Sequence, residues 1–290
     1  MAELSNKTVP VFLISYNRLS YIRQVIDSLE HFGFENITIV DNASTYEPLR
    51  DYLGKTPHNV ARLPRNFGHL ALWHSERFNN IIERQKFILN DSDVAPAPEC
   101  PPDIAARLDE VLERYPRHTK AGLSLRIDDL PDHYQFKDQV LAWEKPFWET
   151  VLDDGHYEAA IDTTFALYRP GIHCNEERWW RSIRTAPPCS ALHLPWYQDT
   201  TKLTDEDVFY QRAVAGISSQ WSITDPVLLK SQNTELQHEI AALKREIAML
   251  KGMAPVFQVP RWRKAVRASL DSVGLLPFAQ DMREKMRRKK

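Results

Sequence analysis

Lys86-Phe87-Ile88-Leu89-Asn90-Asp91-Ser92-Asp93 is the stretch that decides the fold class. Phe87 to Leu89 is a short apolar run, closed by Asn90 and a polar turn. A run this short predicts a strand, Lys86 to Asn90, that ends at Asp91. The same kind of unit recurs upstream. Val9 to Ser15 reads as a buried strand. Ser20 is placed to cap a following helix with an apolar face of Ile22, Val25, Ile26 and Leu29, and Gly33 lies near its end. Asn36 to Val40 is a second strand and Asn59 to Leu63 a third, and Leu70 to Arg84 fits one helix. Strands that alternate with helices imply an α/β fold with a mostly parallel sheet flanked by helices.

In such sheets ligands bind beyond the carboxyl ends of the strands. The polar clusters fall there: Tyr16-Asn17-Arg18, Asp41-Asn42 and Asp91-Ser92-Asp93. Two carboxylates at i and i+2 on a turn can both approach one divalent cation. Hard oxygen ligands suit Mn²⁺ or Mg²⁺, whose other positions can take diphosphate oxygens. Taken alone, such a triplet is weak, because Asp is common in turns; its place after a strand gives it weight.

Downstream, residues 120–222 are less regular and rich in Trp, His and Asp, as a substrate half would be. Residues 1–228 are therefore expected to form one domain, divided into a first half at 1–119 and a substrate half at 120–228. Residues 229–251 differ. Leu229, Leu236, Leu243 and Leu250 recur every seven residues, with Asn233, Ile240 and Ile247 three residues before a Leu. That is the a/d pattern of a parallel two-stranded coiled coil, with Glu239 and Glu246 at g and Lys244 and Lys251 at e. A homodimer is the expectation. One amphipathic helix packed on its own domain is the plainer alternative.

The chain has 290 residues, 43% hydrophobic and 26% charged, with a net charge of −2. That balance hides an asymmetry. Residues 252–290 hold ten Lys/Arg and three Asp/Glu, so a basic tail follows an acidic body. Trp262, Leu275, Leu276 and Phe278 interleave with the basic residues. An anionic membrane surface suits that tail, as does plain solvation. The acidic body counts against nucleic acid. No apolar run reaches the roughly 18 residues of a spanning helix. The N-terminus lacks the pattern of a secretory signal. Cys100, Cys174 and Cys189 form no CxxC pair. A cytoplasmic protein, peripheral at most on the inner face of the membrane, is expected.

Together the motifs resemble glycosyltransferase family 2, of GT-A fold. They are Val9-Pro10-Val11 through Tyr16-Asn17-Arg18, Val40-Asp41-Asn42-Ala43-Ser44, Arg65-Asn66-Phe67-Gly68 and Asp91-Ser92-Asp93, in that order and spacing. Asp205-Glu206-Asp207, with Arg212 and Gly216, looks like the family's later acidic motif, and Asp162 to Arg169 like its acceptor-side strand. Asn66-Phe67-Gly68-His69, Arg126 to Tyr134 and His193 to Tyr197 look like a bacterial subgroup. The likeness covers residues 8–222.

The resemblance implies a metal-dependent, inverting transfer of a sugar from a nucleotide-sugar, UDP-sugar favoured, to a hydroxyl of a glycan or lipid-linked acceptor. Tyr16, Asn17, Arg18 and Asp41 should hold base and ribose, with Arg65 and Asn66 bordering the pocket. Asp93 should ligate the metal, with Asp91 nearer the ribose and sugar. The acidic motif should supply the general base: Asp207 first, with Glu206 and Asp205 as substitutes. The motif departs from the family at Phe209, where a second Asp is usual. If the motif only caps its helix, Asp162 is the alternative base. His193 can complete the metal or diphosphate site, or simply pack in its Pro-Trp-Tyr loop. His69, Asp128 and Asp129 can contact the acceptor, although turn formation explains them nearly as well. Trp143, Trp148, Trp179 and Trp196 are expected in the core or at a dimer contact rather than as sugar platforms. Two further readings compete. One is a non-catalytic dimeric scaffold, kept open by Phe209. The other is a nucleotidyltransferase, disfavoured because Ile14 to Leu19 holds no Gly.

Overall fold

The structure is a computed structural model, and it describes residues 4–199 and 202–214. The chain divides into a unit of residues 1–228 and another of 229–290. The expected coiled coil at 229–251 and basic tail at 252–290 lie outside the described residues.

The described chain is α/β. β1 (Val11–Ser15) leads into α1 (Leu19–His31), β2 (Ile37–Asp41), α2 (Glu47–Leu53) and β3 (Asn59–Arg62). Two short helices, α3 (Ala71–His74) and α4 (Asn79–Arg84), precede β4 (Phe87–Asp91) and β5 (Val94–Pro96). Then come α5 (Ile104–Arg114), β6 (Lys120–Leu125), α6 (Lys137–Glu144), β7 (Tyr157–Glu158), β8 (Ala166–Tyr168), β9 (Ser182–His193) and α7 (Asp205–Ala213). The sheet order is β3-β2-β1-β4-β8-β6-β9-β5, with β7 on β9. The pairings among β3, β2, β1 and β4 are all parallel, and β6 also runs parallel to β9. β8, β5 and β7 join antiparallel.

Both faces of the sheet are covered, which is why β1 is a continuous apolar run rather than an alternating one. Val11 and Leu13 pack with Ile22, Val25, Ile26 and Leu29 of α1 and with Ile104 and Leu108 of α5. Phe12 and Ile14 point the other way, into Leu72, Trp73, Phe78 and Ile82. The apolar face predicted for α1 is the face it buries. Gly33 ends α1 at φ +74, and the Phe34 N–H donates to the Leu29 carbonyl at 3.0 Å. That left-handed turn is one glycine adopts at little cost.

Three local expectations change. Ser20 does not cap α1; the cap position is Arg18, whose side chain makes no capping bond. The single helix over 70–84 is two, broken around Glu76, which sits at φ +57. The irregular second half hides the longest strand, β9, twelve residues long. Its pairing with β6 jumps from Thr185 to Ser190, so the stretch holding Pro187 and Pro188 bulges out of the ladder. Proline offers no N–H to a ladder, so a bulge is where it can sit. Among the described residues no helix is long and apolar enough to cross a membrane.

Candidate active site

Parallel pairing aligns the strand ends. Ser15 of β1 faces Asp41 of β2, and Ile14 faces Asp91 of β4. The three polar clusters therefore meet at one edge of the sheet, above a cleft of about 670 Å³. Tyr16, Arg18, Asn42, Asn66, His69, Asp91, Asp93, Asp162, Thr163 and His193 line it, with Tyr210 and Val214 at its C-terminal side.

The Asp91-Ser92-Asp93 turn is pinned from below. Ser92 N–H donates to the Ile14 carbonyl at 3.1 Å, and the buried Asn90 Nδ2 donates to the Val94 carbonyl at 2.7 Å. Thr163 Oγ1 donates to Asp91 Oδ2 at 2.9 Å. Pairing of Val94 with His193 brings the imidazole to the turn, with His193 Nε2 3.9 Å from Asp93 Oδ2. Asp91 keeps part of its surface on the cleft, yet its carboxyl is pushed up to about 8, chiefly by burial and then by the Asp93 charge. Burial pushes the His193 imidazole down, against the pull of Asp93. Its Nδ1 is buried without a hydrogen-bond partner.

These observations fit a divalent cation. Among the described residues no Lys or Arg side chain forms an ion pair with either of the two crowded carboxylates, and burial favours the uncharged form of the imidazole beside them. Among the described residues no three His, Cys, Asp or Glu side chains converge tightly enough to hold a metal by themselves. Asp93, Asp91 and His193 face the cleft without closing into a three-ligand cluster, so the protein would supply only part of a coordination shell there.

The other expected residues separate into two groups. Tyr16, Asn66, His69 and Asp162 line the cleft. Arg65 borders it, stacked over the Phe67 ring at 4.6 Å. Asn17 and Asp41, in contrast, are buried and bonded inward. Asn17 takes φ +53, and its Oδ1 accepts from the N–H groups of Thr45 (2.7 Å) and Tyr46 (3.0 Å). Asp41 Oδ1 accepts from the Ser44 N–H at 3.0 Å. Both shape the loops of the cleft from behind. Asn42 does likewise: its Oδ1 accepts from Phe67 N–H at 2.8 Å, and its Nδ2 donates to the Gly68 carbonyl at 2.9 Å.

The acidic motif is occupied with structure. Thr204 and Asp207 form a capping box at the start of α7. Asp207 Oδ2 accepts from Thr204 N–H (2.9 Å), Thr204 Oγ1 (2.6 Å) and Gln198 Nε2 (2.7 Å). Its Oδ1 accepts from Arg18 Nη2 at 2.7 Å. Arg18 is in turn stacked between the rings of Tyr21 (4.4 Å) and Tyr210 (4.5 Å). Glu206 reaches across to α1. Its carboxylate accepts from Leu19 N–H at 2.8 Å, Ser20 N–H at 3.1 Å and the Ser20 hydroxyl. A carboxylate there satisfies the orphan N–H groups of a helix start and complements its dipole. Asp205 is exposed.

Asp162 is different. Its side chain is 56% exposed, and its Oδ1 lies 3.8 Å from His69 Nε2 across the cleft. Asp128 and Asp129 lie after β6, both within salt-bridge distance of Arg126, and Asp129 accepts from the Tyr197 hydroxyl at 2.6 Å. Neither is brought to the cleft that holds Asp91. Trp179 and Trp196 are core residues, while Trp143 is exposed. Sequence reasoning missed Lys120, which lies buried under Asp162 with its amine pushed down to about 7 by burial. A lysine that opens a strand carries no sign of burial.

No protein-family model matches the chain, and no curated protein matches it. Solved structures do. The mannosyltransferase PcManGT from Pyrobaculum calidifontis, in complex with GDP-Man and Mn²⁺, aligns over 95% of this chain and 90% of its own, at 14% identity and a TM-score of 0.43. TarS of S. aureus, residues 1–349, aligns over 64% of this chain and 60% of its own, at 15% identity and a TM-score of 0.36. GalNAc-T7 with UDP, GalNAc and Mn²⁺ aligns over 71% of this chain and 48% of its own, at 11% identity and a TM-score of 0.41.

Proposed function

We propose that the chain is a metal-dependent glycosyltransferase of GT-A type, resembling family 2, that moves a sugar from a nucleotide-sugar to an acceptor hydroxyl. One observation carries this reading. The Asp91-Ser92-Asp93 turn, His193 and Asp162 face a single cleft beyond the carboxyl ends of parallel strands. UDP-sugars are the favoured donors, and the acceptor is a glycan or a lipid-linked glycan. Tyr16, Arg18, Arg65 and Asn66 border the nucleotide. Asp93, Asp91 and His193 would hold Mn²⁺ or Mg²⁺, which supplies charge to the leaving diphosphate.

We assign the base to Asp162. Asp207 spends both carboxylate oxygens on Arg18, Thr204 and Gln198, and Glu206 spends its own on the start of α1. Asp162 is the cleft carboxylate with open access to solvent and an incoming hydroxyl. In the step, the acceptor oxygen attacks the sugar carbon from the face opposite the diphosphate, which makes the transfer inverting. The carbon–diphosphate bond breaks, and the hydroxyl proton passes to the Asp162 carboxylate. His69, 3.8 Å away, is placed to steady that carboxylate. The segment at 229–251 pairs two copies, and the tail at 252–290 meets an anionic membrane on the cytoplasmic side.

The experiment is a thermal-shift panel of UDP, GDP, CDP, TDP and ADP, with and without Mn²⁺, on wild type and Asp93→Ala. A ligand at about 100 times its Kd adds roughly 2.7 kcal/mol. One nucleotide should stabilise the wild type, in a Mn²⁺-dependent way that the variant loses. No shift with any nucleotide would favour the second reading, a non-catalytic scaffold, which the structural use of Asp207 and Glu206 supports.

A further inference from the structure

Lys120 opens β6 and is fully buried. Its Nζ lies 3.6 Å from the centre of the Trp179 ring and 5.0 Å from that of Tyr168. Among the described residues no carboxylate comes within 4.0 Å of it. An ammonium without a carboxylate partner is costly inside a protein, and aromatic faces offset only part of that cost. A leucine or methionine would fill the same space at no such cost. The amine makes hydrogen bonds that those side chains cannot make, the longer of them to the Tyr168 hydroxyl at 3.5 Å. It donates to the Asp162 carbonyl at 3.1 Å. The Tyr168 hydroxyl donates to the same carbonyl at 2.8 Å.

The short segment that carries Asp162 is clamped on both sides of that carbonyl. Ile161 N–H donates to Ser182 Oγ at 2.8 Å, and Leu123 N–H donates to the Phe165 carbonyl at 2.9 Å. Gly122 of β6 lies so close beneath that a Cβ there would fall 2.5 Å from the Phe165 carbonyl oxygen. Beyond Asp162 the segment reaches the metal-turn carboxylate through the Thr163 hydroxyl, at 2.9 Å from Asp91. The buried amine thus fixes the main chain that carries Asp162 and leads on to the Thr163–Asp91 bond.

We propose that Lys120, seated on the Trp179 ring and paired with the Tyr168 hydroxyl, is a positioning residue for transfer: it holds the Asp162–Thr163 main chain so that the Asp162 carboxylate stays aimed into the cleft and Thr163 stays on Asp91. The inference rests on the reading of Asp162 as the base. Lys120 touches no reacting atom. Its effect comes through geometry, where a misplacement of about 1 Å costs on the order of 100-fold in rate.

The test uses the full chain with Lys120→Met, which keeps the volume and removes the donor, and Tyr168→Phe, which removes the other donor and leaves the lysine. Amide hydrogen exchange over residues 161–165 is read first. Lys120→Met should speed exchange there while β1 and β4 stay protected. Unchanged exchange in both variants would overturn the proposal, whatever the activity. Turnover is read next, as nucleoside diphosphate released from UDP-glucose or GDP-mannose with Mn²⁺. For a wild type that turns either over, kcat should fall on the order of 100-fold in Lys120→Met, with KM for the donor within about threefold. A kcat equal to wild type, with exchange raised, would overturn the catalytic part. A wild type that binds no nucleotide and turns over neither donor would sink the proposed function instead, and the exchange result would still decide whether Lys120 anchors the segment.

Discussion

Arg18 and Asp207 form a buried ion pair, 2.7 Å long, with each side chain only 5% exposed. It joins the loop after β1 to the last described helix. Removing one partner strands a charge away from water. Asp207→Ala should therefore lower stability by roughly 3–5 kcal/mol, read as a shift of the urea midpoint. Glu206→Ala removes the acceptor at the start of α1 and should cost less, about 0.5–2 kcal/mol. A midpoint unchanged in Asp207→Ala would show that the pair is idle and would return Asp207 to the list of bases.

Asp162→Asn separates binding from chemistry. The side chain keeps its shape and its exposure but accepts no proton. Turnover of the donor should fall about 10²–10⁴-fold, while the thermal shift with nucleotide and Mn²⁺ stays at the wild-type value. Full activity in the variant would move the base elsewhere in the cleft.

The contrast between those two residues shows what a sequence carries. The strand ends that bring Tyr16, Asp91 and Asp93 together follow from apolar runs and parallel pairing, and both are legible. The role of Asp207 is not. Catalytic and capping carboxylates have the same chemistry and the same place at a helix start, and only the partners tell them apart. Those partners, Arg18 and the first turn of α1, lie nearly 190 residues away in the chain. β9 stayed hidden for a different reason: Pro187 and Pro188 break the pattern that marks a strand, while the bulge lets the ladder resume at Ser190. Lys120 gave no signal because burial of an amine depends on aromatic rings contributed by β8 and the turn before β9.

The Asp91 carboxyl gives a pH test with a definite sign. Its folded-state value is about 8, against an ordinary value of 3.8. Between those values the folded protein holds a proton that the unfolded chain has lost. This contribution to stability is complete below about pH 4 and is lost as the pH rises through 8. Asp91→Asn should flatten that decline in denaturation midpoints measured from pH 5 to 9. At the proposed metal site, ligation by Asp91 would displace the same proton. Mn²⁺ affinity should rise by up to about tenfold per pH unit below pH 8, and calorimetry in two buffers should count close to one proton released at pH 7. An affinity independent of pH would place the metal away from Asp91.

Lys120 titrates with the opposite consequence. Burial pushes it down to about 7 from 10.5. Between those values the unfolded chain holds the extra proton, so the group favours the folded state more as the pH rises from 7 toward 10. Lys120→Met should remove that rise, read as the change in Tm between pH 7 and 9 relative to wild type. Equal changes in the two proteins would show that the amine is solvated in the native state.

Truncation after residue 228 tests the heptads of 229–251. The shortened chain should give a smaller mass by light scattering than the full chain. An equal mass would assign any self-association to residues 1–228.

The bonds from Glu206 to the start of α1 bear on how such chains drift over generations. A carboxylate that folding itself demands is kept by selection even after the reaction is gone. If the proposed transfer and the assignment of the base to Asp162 hold, a descendant could lose Asp162 in one mutation, stop transferring sugar, and still display Asp205-Glu206-Asp207 intact. The motif would then be a fossil of architecture rather than a sign of turnover, and the residue that tells a living enzyme from its silent copy would be the one on the far lip of the cleft.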